Sequence, residues 1–202
     1  MNRKLFSRYS IFILFFIFIF IIFGCFYFLI YKKNDVYVIN NIFTKNECKN
    51  IINYSEYYNK WTIYENNGYF TIDILIKNLP KIEKVINNII NNKIIPEFEA
   101  KYNIPKNSVK IDENELFVIK YYNEKTKAPI NNIIKYHKDP LPFSFNIALN
   151  DDFDGGGTHF LDQNIYVNNP VGSCLIFPGE KTHSGIKINY GIRYIIYGSL
   201  KL

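Results

Sequence analysis

The sequence predicts a mainly β domain of sandwich or small-barrel, jelly-roll type, with flanking helices (α+β) and one transmembrane helix ahead of it. Three observations carry that prediction. From about residue 111 the chain breaks into short β-rich runs separated by turn chemistry. Between residues 44 and 90 apolar residues recur at helical spacing. From Tyr9 to Tyr31 no residue is charged, and nearly every one is Ile, Leu, Phe or Tyr. A chain of 202 residues, 48% hydrophobic and 18% aromatic, suffices for one domain plus an appendage and is too apolar to stay disordered.

Four segments follow: a short basic tail (1–8), a signal anchor (9–31), a helical support region with early strands (32–110) and the β-rich core (111–202). At about 1.5 Å per residue, the second segment covers the roughly 30 Å hydrocarbon core. A cleaved signal peptide has an apolar run of about 7–15 residues and a small-residue cleavage site. The run here is longer and no such site follows it. Ile22-Phe23-Gly24-Cys25 faintly resembles a bacterial lipoprotein box, but bulky Phe23 fits it poorly and the apolar run continues past Cys25. Arg3, Lys4 and Arg8 precede the span while Lys32, Lys33, Lys45 and Lys49 follow it, so the charge count nearly ties. A very short basic tail usually stays cytoplasmic. The expectation is a single-pass type II protein with its C-terminal domain lumenal or extracytoplasmic.

In the support region, Thr44-Lys45-Asn46-Glu47 has the pattern of a capping box, and Ile51, Ile52 and Tyr54 continue a helix from it. Leu79-Pro80 opens a second helix, with Ile82, Val85, Ile86, Ile89 and Ile90 on one stripe. Strands are expected over 115–122, 133–137, 143–150, 158–161, 164–167, 173–177 and 192–199. Asp154-Gly155-Gly156-Gly157 and Asn189-Tyr190-Gly191 separate runs in hairpin-like fashion.

The formal net charge of +6 raises the question of nucleic acid. Five of the 24 basic residues lie within residues 1–33 alongside no acid, which leaves 19 basic against 18 acidic residues elsewhere. The basicity belongs to the flanks of the apolar segment, so nucleic acid is not an expected partner. Cys25 falls within the span. Cys48 and Cys174 lack the spacing of a zinc site and read as buried thiols, with pairing left open.

All three histidines lie in the β-rich region. In extended chain, alternate side chains share a face, so His137 and Asp139 can address one centre while Lys138 points away. A barrel can bring His183 opposite them. Two imidazoles and one carboxylate with open positions form the facial triad of non-haem Fe(II) oxygenases. Alone, an HxD pair and a distant His is a weak signal. Arg193 strengthens it: it sits on the last strand after the turn at Tyr190-Gly191, and a guanidinium suits a terminal carboxylate. By strand parity Asn146 faces the pocket with Ala148, either as a contact or as a core-edge amide. Thr158 also faces inward, and His159 then alternates outward and is not a ligand.

The segment from about Phe117 to Leu200 resembles the catalytic domain of the prolyl and lysyl hydroxylases, within the 2-oxoglutarate/Fe(II)-dependent dioxygenase superfamily. The matching pieces are Val118-Ile119-Lys120-Tyr121, His137-Lys138-Asp139, Phe145-Asn146-Ile147-Ala148-Leu149-Asn150 and Gly155-Gly156-Gly157-Thr158-His159-Phe160. Gly172 through Phe177 follow, then His183 and Gly191-Ile192-Arg193-Tyr194. The resemblance implies a double-stranded β-helix fold. It implies His137, Asp139 and His183 as catalytic iron ligands, and Arg193 and Tyr121 as partners of 2-oxoglutarate; Asn146 and Thr158 join them as candidate cofactor contacts. It further implies Fe(2+), 2-oxoglutarate and O2 as cofactor and co-substrates, with L-ascorbate as auxiliary reductant. Succinate and CO2 would be released as a prolyl or lysyl residue of a protein or peptide is hydroxylated.

Collagen prolyl hydroxylases commonly carry Lys at the position of Arg193, and the arginine and the triple glycine are closer to the lysyl hydroxylases. Competing readings are a hydroxylase of a small molecule or lipid, a non-catalytic jelly-roll binding module, and a zinc hydrolase, which has no use for Arg193. Substrate choice rests on loops such as residues 123–132, and the oligomeric state is open.

Overall fold

The computed structural model describes residues 16–24, 36–66, 69–122 and 134–202. They fall in two compact units, Met1–Asp35 and Val36–Leu202. In the first unit residues 16–24 are helical and expose Phe16, Phe18, Phe20 and Phe23. The remainder of the span expected over 9–31 lies outside the described residues. Among the described residues, no helix is long and apolar enough to cross a membrane.

In the second unit, the expected capping box forms. Thr44 Oγ1 accepts from the Glu47 backbone N–H while Glu47 Oε2 accepts from the Thr44 backbone N–H, opening α1 (Lys45–Tyr58). α1 ends where Asn59 takes a left-handed conformation, φ 50°. Pro80 begins α2 (Pro80–Ile89), where its missing N–H costs nothing. The helix then widens into a π turn (Ile90–Ile94) and continues as α3 (Ile95–Tyr102). Pro96 accounts for the widening, since its ring has no N–H to donate and would clash with the carbonyl one turn back. α3 was not expected, because that proline reads as a stop in sequence.

The strands are β1 (Tyr37–Ile39), β2 (Thr62–Asn66), β3 (Tyr69–Leu75), β4 (Lys110–Tyr122), β5 (Ile134–His137), β6 (Phe143–Ala148) and β7 (Asp154–Gly155), then β8 (Thr158–Phe160), β9 (Ile165–Val167), β10 (Cys174–Pro178), β11 (His183–Gly185), β12 (Ile188–Tyr190) and β13 (Ile192–Lys201). A seven-stranded antiparallel sheet has the order β1-β10-β6-β13-β4-β3-β2, and a four-stranded sheet the order β5-β11-β8-β9. β7 and β12 form a separate pair. Phe160 of the smaller sheet packs on Leu175 and Phe177 of the larger, with the Phe160 and Phe177 rings 5.1 Å apart.

Period-two alternation in the large sheet separates structure from chemistry. Leu116 and Val118 of β4, Phe145 and Ile147 of β6, and Ile196 and Leu200 of β13 join the cluster built with α1, α2 and α3. The intervening residues Phe117, Ile119 and Tyr121, Asn146, and Arg193, Ile195 and Tyr197 face a cavity instead. Both faces are covered, which is why these strands read as nearly continuous apolar runs.

Two strands differ from expectation in instructive ways. β4 begins at Lys110 because β13 continues past an irregularity near Gly198 to pair Leu200 with Ile111. β11, with sequence His-Ser-Gly, has little strand propensity and exists because β5 and β8 flank it. The segment Asp154-Gly155-Gly156-Gly157 does more than connect runs. Asp154 and Gly155 pair with Tyr190 and Ile188, and all three glycines have positive φ. Cys48 and Cys174 are both buried and free.

Candidate active site

His137 ends β5 and stands directly opposite His183 of β11 in the strand register. Asp139 follows two residues on, its backbone N–H donating to Gly179 O at 2.8 Å. That approach needs a glycine, since a Cβ at Gly179 would lie 2.0 Å from Leu141 O and 3.3 Å from Asp139 Cβ. Asp139 Oδ1 lies 3.3 Å from His137 Nε2, and its Oδ2 lies 3.6 Å from His183 Nε2. One candidate ligand atom from each residue falls within 4.8 Å of the others.

The two imidazoles are oriented the same way. Each Nδ1–H donates to the carbonyl two residues earlier, His137 to Lys135 O at 2.7 Å and His183 to Lys181 O at 2.8 Å. A carbonyl only accepts, so each Nδ1 carries a proton and each Nε2 is turned toward Asp139, as a lone-pair ligand when the ring is neutral and as a donor when it is protonated. Ser144 Oγ donates to Asp139 Oδ2 and fixes the carboxylate plane. Phe177 packs on the His183 ring at 4.7 Å.

Electrostatics reflect this sharing. Burial alone would raise the Asp139 pKa, but hydrogen bonds from His137 and Ser144 and the His183 charge outweigh it and hold the carboxyl below its usual value. Burial lowers His183 overall, with Asp139 opposing. At His137 burial also pulls down, but Asp139 and the Lys135 carbonyl prevail and raise it. Two imidazoles and one carboxylate converging in this way can hold a divalent first-row metal while leaving positions free.

Across the same cavity, of about 670 Å³, lies Arg193. It is 4% exposed, and its Nε and Nη2 have no hydrogen-bond partner among the described residues. Its guanidinium carbon sits 5.8 Å from the Tyr121 ring, the residue it pairs with across β13 and β4. Burial lowers the Arg193 pKa and pushes Tyr121 up to about 12. A buried cation with free N–H groups is costly without an anion. Carboxylate chemistry fits the vacancy in its bonding.

Asn146 is buried and lines the cavity, its Nδ2 donating to Thr158 Oγ1 at 3.4 Å while Oδ1 has no partner among the described residues. Thus the structure brings His137, Asp139, His183, Arg193, Tyr121, Asn146 and Thr158 to one cavity. His159 turns to the other face, as expected, but that face is covered. Its ring stacks on Tyr166 at 4.0 Å and hydrogen-bonds to the Tyr136 hydroxyl. Sequence reasoning missed Ser144, Thr71, Asp73 and Tyr197. Parity with Asn146 could have found Ser144, and parity with Arg193 could have found Tyr197. The expected substrate loop, residues 123–132, lies outside the described residues.

No protein-family model matches the chain. It is 29% identical over 167 residues to procollagen-lysine,2-oxoglutarate 5-dioxygenase 1 of Rattus norvegicus, a match covering 76% of this chain and 22% of that protein. The chain therefore spans about a fifth of that relative's length. Its fold is similar to the viral collagen prolyl hydroxylase vCPH from Paramecium Bursaria Chlorella virus-1, with TM-score 0.57 and 14% identity over 82% of this chain and 94% of that one. An oxidoreductase of the 2OG-Fe(II) oxygenase family from Burkholderia pseudomallei gives TM-score 0.63 and 14% identity, covering 82% and 84%. These likenesses establish a jelly-roll fold.

Proposed function

We propose that this chain, homologous to a procollagen-lysine dioxygenase and folded like the 2OG-Fe(II) oxygenases, is a membrane-anchored Fe(II)- and 2-oxoglutarate-dependent dioxygenase acting on prolyl or lysyl residues of a protein or peptide. One observation carries the reading. Arg193, whose Nε and Nη2 have no hydrogen-bond partner among the described residues, faces the same cavity as the His137, Asp139 and His183 cluster. A hydrolytic metal site has no need of such a cation; a site for a dicarboxylate co-substrate does.

His137 and His183 would hold iron through Nε2 and Asp139 through a carboxylate oxygen, with Ser144 restraining the carboxylate. Arg193 would grip the far carboxylate of 2-oxoglutarate through Nε and Nη2, beside Tyr121. Asn146 and Thr158 offer further polar contacts in the same wall. When bound, the iron supplies oxidative decarboxylation of 2-oxoglutarate by O2, yielding succinate, CO2 and a hydroxylated substrate carbon. Ile119, Ile195 and Phe177 supply apolar wall that excludes water from the cavity. L-ascorbate is the auxiliary reductant of this reading.

The test is succinate release by the purified full chain with Fe(II) and 2-oxoglutarate, screened against proline- and lysine-bearing peptides. No turnover, with or without peptide, together with no bound iron would sink the reading. Anchoring through residues 9–31, in type II orientation, rests on the charge-free apolar run. It predicts that the protein resists alkaline extraction from membranes, and that protease reaches the β domain only from the lumenal or extracytoplasmic side.

A further inference from the structure

We propose that Asp73 is a specificity-determining residue that receives a cationic group of the substrate. This rests on the reading above, in which the metal cluster and Arg193 hold iron and 2-oxoglutarate. On β3, Thr71, Asp73 and Leu75 line the cavity, while Ile74 joins the core beneath the helices. Asp73 stands opposite Ile119 of β4, and Arg193 stands opposite Tyr121 of the same strand. At about 4.8 Å between neighbouring strands, Asp73 lies on the order of 10 Å across the sheet from Arg193.

Among the described residues the Asp73 carboxylate accepts one hydrogen bond, from Thr71 Oγ1 at 2.7 Å. It makes no ion pair among the described residues, although it is partly buried. Burial raises its pKa, and the Thr71 bond only partly offsets that. Glu115, which also lines the cavity, adds a second carboxylate, raised by burial and by neighbouring Asp112 and Asp139. Of the three Lys and Arg side chains lining the same cavity, Lys60 lies over the Tyr58 ring, Lys138 sits between His137 and Asp139 at the metal-ligand cluster, and Arg193 belongs to the far wall; none of them pairs with Asp73 among the described residues.

A partly buried carboxylate without a cation is costly to maintain, and such perturbed groups cluster where ligands bind. The cavity therefore has two poles of opposite demand. Arg193 lacks an anion and Asp73 lacks a cation. A dicarboxylate co-substrate satisfies only the first. The second calls for a substrate bearing a primary ammonium, such as a lysine side chain, and a prolyl residue within a peptide carries no charge to offer.

Fluorescence anisotropy with the Mn(II)- and 2-oxoglutarate-loaded full chain tests this, using a lysine peptide and its Nε-acetylated twin. The free-lysine peptide is expected to bind roughly tenfold tighter, the factor that a charge-assisted contact of modest burial supplies. That preference collapses to near unity in Asp73→Asn and persists in Asp73→Glu. Equal binding of the twins to the unaltered protein overturns the inference, as does a preference that survives in Asp73→Asn. If 2-oxoglutarate binds but neither peptide does, the inference falls while the proposed function stands. If 2-oxoglutarate itself fails to bind, both fall. Thermal unfolding of each variant shows whether it has folded.

Discussion

Replacing Arg193 with methionine should separate function from stability. The side chain is 4% exposed, and its Nε and Nη2 donate to nothing among the described residues. Removing it therefore breaks no internal hydrogen bond from those atoms, and it eliminates a buried charge whose desolvation is uncompensated. Apolar replacement of buried ions is often neutral or stabilising by about 1–4 kcal/mol. Methionine keeps the aliphatic stem that passes Gly156, where a Cβ would lie 3.0 Å from Arg193 Cδ. With 2-oxoglutarate the balance reverses. Two charge-assisted hydrogen bonds of about 1.5–3 kcal/mol each are lost, so affinity should fall at least a hundredfold or so. The assay is thermal unfolding with Mn(II), with and without 2-oxoglutarate. The unaltered protein should gain about 2.7 kcal/mol at a ligand concentration near 100 Kd, and Arg193→Met should gain almost nothing at that concentration. A variant that is clearly less stable than the parent without ligand, yet keeps the ligand-dependent shift, would refute the reasoning.

Three further outcomes are expected. Ser144→Ala removes the donor to Asp139 Oδ2 and should weaken Co(II) or Fe(II) affinity by about 10–100-fold, read by metal titration, while Ser144→Thr retains most of it. The depressed Asp139 pKa contributes stability that is fully present above its unfolded value, near 3.8, and is lost as pH falls through the lower folded value. In metal-free protein, Asp139→Asn should therefore flatten the acid limb of the stability curve, and an unchanged limb would contradict the assignment. Thr44→Ala dismantles the capping box of α1 and should cost about 1 kcal/mol in urea unfolding without altering metal affinity.

The sequence exposes the inner-face chemistry best where strand alternation is regular. Parity alone turns Asn146 to the cavity and His159 to the opposite face of its strand, and the structure has both side chains there; Ala148, expected beside Asn146, is not among the cavity's lining residues. Residues 143–147 also show why regularity hides things. Because helices cover one face and the cavity the other, Phe143, Phe145 and Ile147 dominate the pattern, and Ser144 reads as an incidental polar residue. Asp73 was invisible for another reason. β3 alternates apolar Ile72 and Ile74 with Thr71 and Asp73, which in sequence reads as a solvent-facing side, and Asp73 reaches the cavity only through pairing with β4, more than 40 residues later in the chain. β11 illustrates the same limit, since three residues of low strand propensity adopt that state only between two neighbours. α3 escaped because a proline that ends most helices here only widens one.

The cross-strand placement of His137 and His183 has a mechanical corollary. β5 is four residues long, forms the edge of its sheet and hydrogen-bonds only to β11 among the described strands. An ion held by both histidines would act as a rivet between edge and interior, joining strands that backbone pairing alone holds weakly. Amide exchange across residues 134–137 should then slow when metal is added, before any change in global unfolding. The metal would serve as part of the scaffold that positions it, and removing it would loosen one cavity wall.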